Sequence, residues 1–191
     1  MANIWHDIHP SRISHNEFIS VIEISKGGKN KYELDKDTGM LMLDRVLYTS
    51  THYPANYGFI PRTYGDDKDP LDVLVLCQEA ILPLTLVNCR PIGMINMVDD
   101  EYADEKIIAI PLGDPSMVDY QDISQLPPHT IQEISHFFEV YKGLEGKNMV
   151  VKDMYGADVA QQTIKKAMMN YVQKYLIGDH SIHVVDREVE E

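Results

Sequence analysis

The chain has 191 residues, 44% of them apolar and 25% charged, which is the composition of an ordinary globular protein and not of a disordered one. Seventeen Lys and Arg stand against thirty Asp and Glu, a net charge of −13. That balance argues against a general nucleic-acid or anionic-membrane binder, because both need clustered positive charge.

Taken in chain order, the first residues show neither the basic cap nor the apolar core of a secretory signal. Phe18-Ile-Ser-Val-Ile-Glu-Ile is β-rich. Gly27-Gly28 supplies a turn, since glycine reaches positive φ at little cost. Lys31-Tyr-Glu-Leu-Asp alternates with period two, Asp37-Thr-Gly39 turns again, and Met40 to Val46 is a third strand, so residues 18–46 read as a meander. From Ser50 to Pro70 the chain is aperiodic and rich in Pro, Gly and Tyr. Prolines 54, 61 and 70 rule out a long helix there. A stretch of that length without a period is more often functional than idle.

Asp72 to Leu76, Arg90 to Val98 and Lys106 to Pro111 are apolar runs bounded by turn chemistry, and read as strands. Pro127-Pro128 opens a helix over Thr130 to Lys142, with Ile131, Ile134, Phe137, Phe138 and Tyr141 at helical spacing. Asn148 to Met154 is a short strand, and Asp158 to Leu176 a second helix. The polar residues 179–191 read as a loose tail. No repeat or linker-like composition divides the chain, so residues 1–191 read as one domain. Many short strands followed by two helices predict an α+β fold, a closed β-barrel with helices outside it. No apolar run approaches the ~20 residues of a bilayer span. Cys77 and Cys89 form neither a disulfide framework nor a zinc site. A soluble cytoplasmic protein is the expectation.

The strongest local signal is Asp66-Asp67-Lys68-Asp69-Pro70-Leu71-Asp72, where acids at 67, 69 and 72 cluster as a loop enters a strand. Like charges about 4 Å apart cost on the order of 4 kcal/mol at an effective dielectric near 20, so such a cluster needs a counter-charge or raised pKa values. A divalent cation is the usual answer, and all-oxygen ligands favour Mg2+, Ca2+ or Mn2+ over zinc. The EF-hand pattern fails, because its sixth position would be Asp72 and its twelfth Gln78. A solvated turn held by Asx hydrogen bonds accounts for this stretch alone about equally well.

A second acidic run, Asp99-Asp100-Glu101 and Asp104-Glu105-Lys106, flanks a short connection between two strands. Two clusters at strand ends of one small barrel can converge on one mouth, and a site of two or three ions then serves in-line displacement at phosphorus. Lys31, Glu33 and Asp35 share a strand face. Arg45 shares a face with Leu41 and Leu43 and is shaped to fork a phosphate or carboxylate at the barrel mouth. Glu23 interrupts the apolar run around it, and Tyr141-Lys142 closes the first helix. The eight histidines form no metal signature, no P-loop is present, and no Ser-His-Asp or Cys-His set is readable. On these residues alone two other readings stay open: a non-catalytic divalent-cation module and an OB-type nucleic-acid binder. The first leaves the cations beside the acids unexplained, and the acidic net charge opposes the second.

The same residues resemble the soluble family I inorganic pyrophosphatases along nearly the whole chain. Asp67-Lys68-Asp69-Pro70-Leu71-Asp72-Val73 is similar to that family's D-(S/G/N)-D-P-x-D-(V/L/I/M/F) signature, with Lys68 the departure. Around it stand Ile22-Glu23-Ile24, Lys31-Tyr32-Glu33, Asp44-Arg45, Tyr53-Pro54-Ala55-Asn56-Tyr57-Gly58, Arg90-Pro91-Ile92-Gly93 and His136 to Lys142. The resemblance implies an OB-like five-stranded barrel flanked by helices, and Mg2+-dependent hydrolysis of pyrophosphate, with Mn2+ or other divalent ions able to substitute. It implies that Asp67, Asp72 and Asp104 bind a first ion, with Asp72 shared by a second. Asp99 and Asp104 would hold a third ion, and Glu33 with Glu23 would act through water on a fourth. Asp69 would be the general base. Lys31, Arg45, Tyr141 and Lys142 would grip phosphate oxygens, Lys106 would belong to the same polar site, and Tyr57, with Tyr53, would hydrogen-bond in the cavity. Two further departures are Asp100, where Glu is common, and Val140, where some bacterial members carry a second interface histidine. The bacterial-type length implies a homohexamer.

Overall fold

The protein is described by a computed structural model covering residues 3–36, 38–99, 102–147 and 149–177. The loose-tail expectation for 179–191, and any role of Asp100, fall outside these residues. Eight strands are present among them: β1 (Phe18–Ile24), β2 (Asn30–Leu34), β3 (Leu41–Val46), β4 (Asn56–Phe59), β5 (Asp72–Val75), β6 (Leu86–Asp99), β7 (Tyr102–Pro111) and β8 (Met149–Gly156). Three α-helices accompany them: α1 (Ile4–Asp7), α2 (Pro128–Val140) and α3 (Ala157–Val172), the last running into a π-helical turn at Gln173–Ile177. None of the described helices is long and apolar enough to cross a membrane.

The main sheet has the order β1-β4-β5-β7-β6-β8, and β1 also pairs with β6. That extra pairing closes β1, β4, β5, β7 and β6 into a ring, the OB-like five-stranded barrel of an α+β fold, with β8 extending it from β6. All ring contacts are antiparallel except β5 with β7. The strands are apolar on both faces. On β5 and β7, Leu74, Ile108 and Ile110 join one apolar layer with Phe137 and Phe138 of α2. Val73, Val75, Ile107 and Ala109 join the other with Ile164 and Ala167 of α3. Side chains alternate across a strand, so each helix covers one face.

The expected meander does not form. All seven residues of β1 are buried, so β1 needs a partner on each side and finds β4 and β6. The hairpin of β2 and β3 buries little and makes a sheet of its own. The stretch from Ser50 to Pro70 holds an unexpected strand, β4, four buried residues between Pro54 and Pro61. Its Gly58 is required by proximity: an added Cβ would lie 1.8 Å from the Val21 carbonyl oxygen across the β1–β4 pair. The inward apolar face expected for Leu41, Leu43 and Arg45 is also absent, and Leu43 is 52% exposed. The β2–β3 register shifts so that Lys31 faces Arg45 and Tyr32 faces Leu43, leaving Asp44 as an extra residue. A bulge of this kind breaks the period-two count on which the face was assigned.

Candidate active site

Parallel pairing sets Asp72, the first residue of β5, opposite Lys106 on β7, with Asp104 two residues earlier on the same face of β7. The Lys106 ammonium donates to Asp72 Oδ2 at 2.6 Å, to Asp104 Oδ1 at 2.9 Å and to the Tyr57 hydroxyl at 3.1 Å. The Tyr57 hydroxyl in turn donates to Asp72 Oδ2 at 2.5 Å. Phe138 of α2 lies beneath, its ring centroid 5.7 Å from the ammonium. Lys106 is 3% exposed. Burial alone would discharge it, but Asp72, Tyr57 and Asp104 more than offset that and hold its pKa well above the usual lysine value.

Glu23 reaches the same place through a second bulge. The β1–β4 register runs Ile22 to Gly58 and then Ile24 to Tyr57, so Glu23 is the surplus residue. Ile22 and Ile24 accordingly fall in opposite apolar layers, and the bulge re-aims the carboxyl between them. Glu23 accepts the Leu34 N–H at 2.7 Å. Burial, with Asp72 nearby, pushes its pKa up to about 8.

The rim is built from a loop and the hairpin. The Asp67 carboxylate accepts the Asp69 N–H at 3.0 Å, and the Asp69 carbonyl accepts the Gly65 N–H at 2.7 Å. Burial, together with Asp72, Asp69 and Asp104, raises the Asp67 pKa above the usual carboxylate value. Lys36, from the turn after β2, pairs with Asp69, and Lys31 pairs with Glu33 and, at 3.1 Å, with Asp44.

Apart from Asp44 and Phe138, these side chains line one cavity of about 300 Å³. Of the site residues expected from the sequence, it gathers Glu23, Lys31, Glu33, Tyr57, Asp67, Asp69, Asp72, Asp104, Lys106, Tyr141 and Lys142. Arg45 is not among its walls: it donates to Glu145 Oε1 at 2.9 Å and to Asp44 Oδ2 at 2.5 Å, tying the hairpin to the turn after α2. Asp99 ends β6, and its side chain lies outside the described residues. Tyr53 is buried beside Tyr57, ring centroids 5.3 Å apart. The sequence reading missed Trp5 and Lys36 in the cavity wall and the Asp44 and Glu145 partners of Arg45. A lysine in a polar turn and a lone tryptophan near the start carry no spacing signal.

Among the described residues no three His, Cys, Asp or Glu side chains form a ready-made metal cluster. Lys106 stands between Asp72 and Asp104, and Asp67 is turned to the Asp69 amide. The donor set nonetheless suits a hard cation. Six carboxyl groups in the cavity face four ammonium groups, all candidate ligands are oxygens, and burial, with neighbouring carboxylates, lifts the Asp67 and Glu23 pKa values.

A family model described as inorganic pyrophosphatase matches residues 20–172. The chain belongs to the inorganic pyrophosphatase family. Among curated inorganic pyrophosphatases, soluble inorganic pyrophosphatase 2 of Chlamydomonas reinhardtii is 48% identical over 172 residues, covering 90% of each chain. The solved Helicobacter pylori inorganic pyrophosphatase superposes with a TM-score of 0.82 at 44% identity, over 86% of this chain and 98% of that one. The Thermus thermophilus inorganic pyrophosphatase gives 0.82 at 37% identity, over 89% and 99%. The family match takes in every cavity residue from Glu23 to Lys142 and leaves Trp5 outside it.

Proposed function

We propose that this chain hydrolyses inorganic pyrophosphate to two phosphates by in-line attack of water at phosphorus, with Mg2+ as activating cation and Mn2+ able to substitute. As a member of its family it is an inorganic diphosphatase, a hydrolase. The observation that supports the residue roles is the meeting, in one cavity, of carboxylates from four strands and a loop with Lys31, Lys142 and Tyr141.

Pyrophosphate carries roughly three to four negative charges near neutral pH, so a wall of bare carboxylates repels it. Bound divalent cations would reverse that sign and lower the pKa of a bound water below its ~15.7 in bulk. Asp67, Asp72, Asp99 and Asp104 are the residues to hold them, with Glu23 and Glu33 acting through water. Asp69, on the rim and half exposed, takes the proton of the attacking water. Lys31, Lys142, Tyr141 and Arg45 bind phosphate oxygens and neutralise charge on the leaving group. Tyr57 and Lys106 hold Asp72 and Asp104 in place. A cytoplasmic homohexamer, one domain per subunit, completes this reading, and sedimentation of the purified protein tests the subunit number.

Phosphate release from pyrophosphate tests the activity. Release with Mg2+ that stops on addition of EDTA is the expected result. Undiminished release in EDTA would refute cation dependence, and no release under either condition would refute the activity.

A further inference from the structure

We propose that Trp5 and Lys36 form a positioning pair that holds the Asp69 carboxylate in place for proton transfer, so that the N-terminal segment outside the family match serves catalysis. The inference rests on Asp69 being the general base.

The Asp69 backbone is fixed, through its amide on Asp67 and its carbonyl on Gly65. Its side chain is 54% exposed, and the ion pair seen for it is with Lys36. An exposed lysine orients a carboxylate poorly, because its four-carbon stem samples many rotamers. Lys36 is restrained at both ends. Its ammonium lies 5.5 Å from the Trp5 ring centroid, and its carbonyl accepts the Asn3 side-chain amide at 2.9 Å. A cation over an indole face is held there by the ring quadrupole.

Trp5 is itself anchored to the loop that carries Asp69. It is 3% exposed, and its indole N–H donates to the Thr63 carbonyl at 3.0 Å. The Thr63 hydroxyl accepts the Leu71 N–H at 2.8 Å, two residues beyond Asp69. The contacts therefore close a circuit, from Trp5 through Thr63 and Leu71 to Asp69, and back through Lys36 to Trp5. Such a circuit fixes the carboxylate relative to the cavity floor. A misplacement of about 1 Å at a reacting group can cost ~10²-fold in rate. Trp5 precedes residue 20, where the family match begins.

The test compares Lys36→Met, Lys36→Arg, Trp5→Leu, the Lys36→Met/Trp5→Leu double variant and Asp69→Asn, measuring kcat, KM for pyrophosphate and the Mg2+ activation midpoint. Lys36→Met should lower kcat about tenfold with KM and the midpoint within about twofold, and Lys36→Arg should restore most of the loss. Trp5→Leu should lose a similar factor, and the double variant no more than the worse single one. Should Trp5→Leu fail to fold, Lys36→Met and its arginine rescue decide alone. Trp5 is the sole tryptophan, so its emission reads the contact directly and should shift in Lys36→Met. The proposal is overturned by a Lys36→Met kcat near that of the unmodified protein while Asp69→Asn is crippled, by a loss confined to KM, by multiplied losses in the double variant, or by unchanged emission. If Asp69→Asn itself keeps full kcat, the general-base reading fails instead.

Discussion

The two halves of the cavity use the same residue types under opposite conditions. On the barrel wall, Lys106, Asp72, Asp104 and Tyr57 project from paired strands, and the lysine is almost wholly buried. On the rim, Lys31, Glu33, Lys36 and Asp69 project from a hairpin and a loop, and the Asp69 and Lys36 side chains are about half exposed. A charge on the wall cannot exchange partners without leaving another charge buried and unpaired. On the rim, Lys31 and Glu33 can trade each other for a phosphate oxygen or a water, while the Lys36–Asp69 pair is braced by Trp5. On the proposed function, the wall would hold fixed charge for cations, and the rim would handle the substrate and its proton.

The largest effect that tests this division lies on the rim. Asp69→Asn should lower kcat by about 10²–10⁴-fold, the usual worth of general base catalysis, while Mg2+ binding measured by calorimetry and thermal stability stay nearly unchanged. Retained turnover would take the proton-transfer role away from Asp69. On the wall the balance should reverse. Lys106→Met leaves Asp72 and Asp104 without their shared cation and should cost about 3 kcal/mol of stability in EDTA, read by urea unfolding. Added Mg2+ should shrink that deficit, since it supplies the missing positive charge. An equal deficit with and without Mg2+ would show that cations do not engage these two carboxylates.

Arg45→Ala should raise KM for pyrophosphate about tenfold and leave the Mg2+ midpoint in place. Equal losses in both would make Arg45 a structural tie between the hairpin and Glu145. A separate effect, on the pH dependence of stability and not on turnover, concerns Glu23. In the fold its carboxyl keeps its proton up to about pH 8, against an ordinary value of 4.5. Between those values the folded chain binds a proton that the unfolded chain has released, so metal-free stability should fall as pH rises through the window and level off above it. Glu23→Gln should flatten that slope, and an unchanged slope would assign it to another group.

Much of the site was legible because its densest part is local. Asp67, Asp69 and Asp72 lie within six residues, and their repulsion is evident from spacing alone. The barrel followed from the run of short strands and two late helices. What escaped depends on register and tertiary contact. The bulges at Glu23 and Asp44 shift a carboxyl or a guanidinium to another direction, and no period-two count reveals them. Strand β4 hid between two prolines because four residues are too few to show alternation. The parallel contact that sets Asp72 beside Lys106 joins residues far apart in sequence. The Trp5–Lys36 contact likewise needs the folded N-terminus.

On the proposed function, this carboxylate-lined cavity attracts a polyanion only after hard cations enter it. Calorimetric titration with a non-hydrolysable imidodiphosphate, in EDTA and in Mg2+, tests it without turnover. Binding in Mg2+ and none in EDTA is the predicted result. Binding of equal strength in both would refute a cation-dependent cavity, because the ammonium groups alone would then suffice.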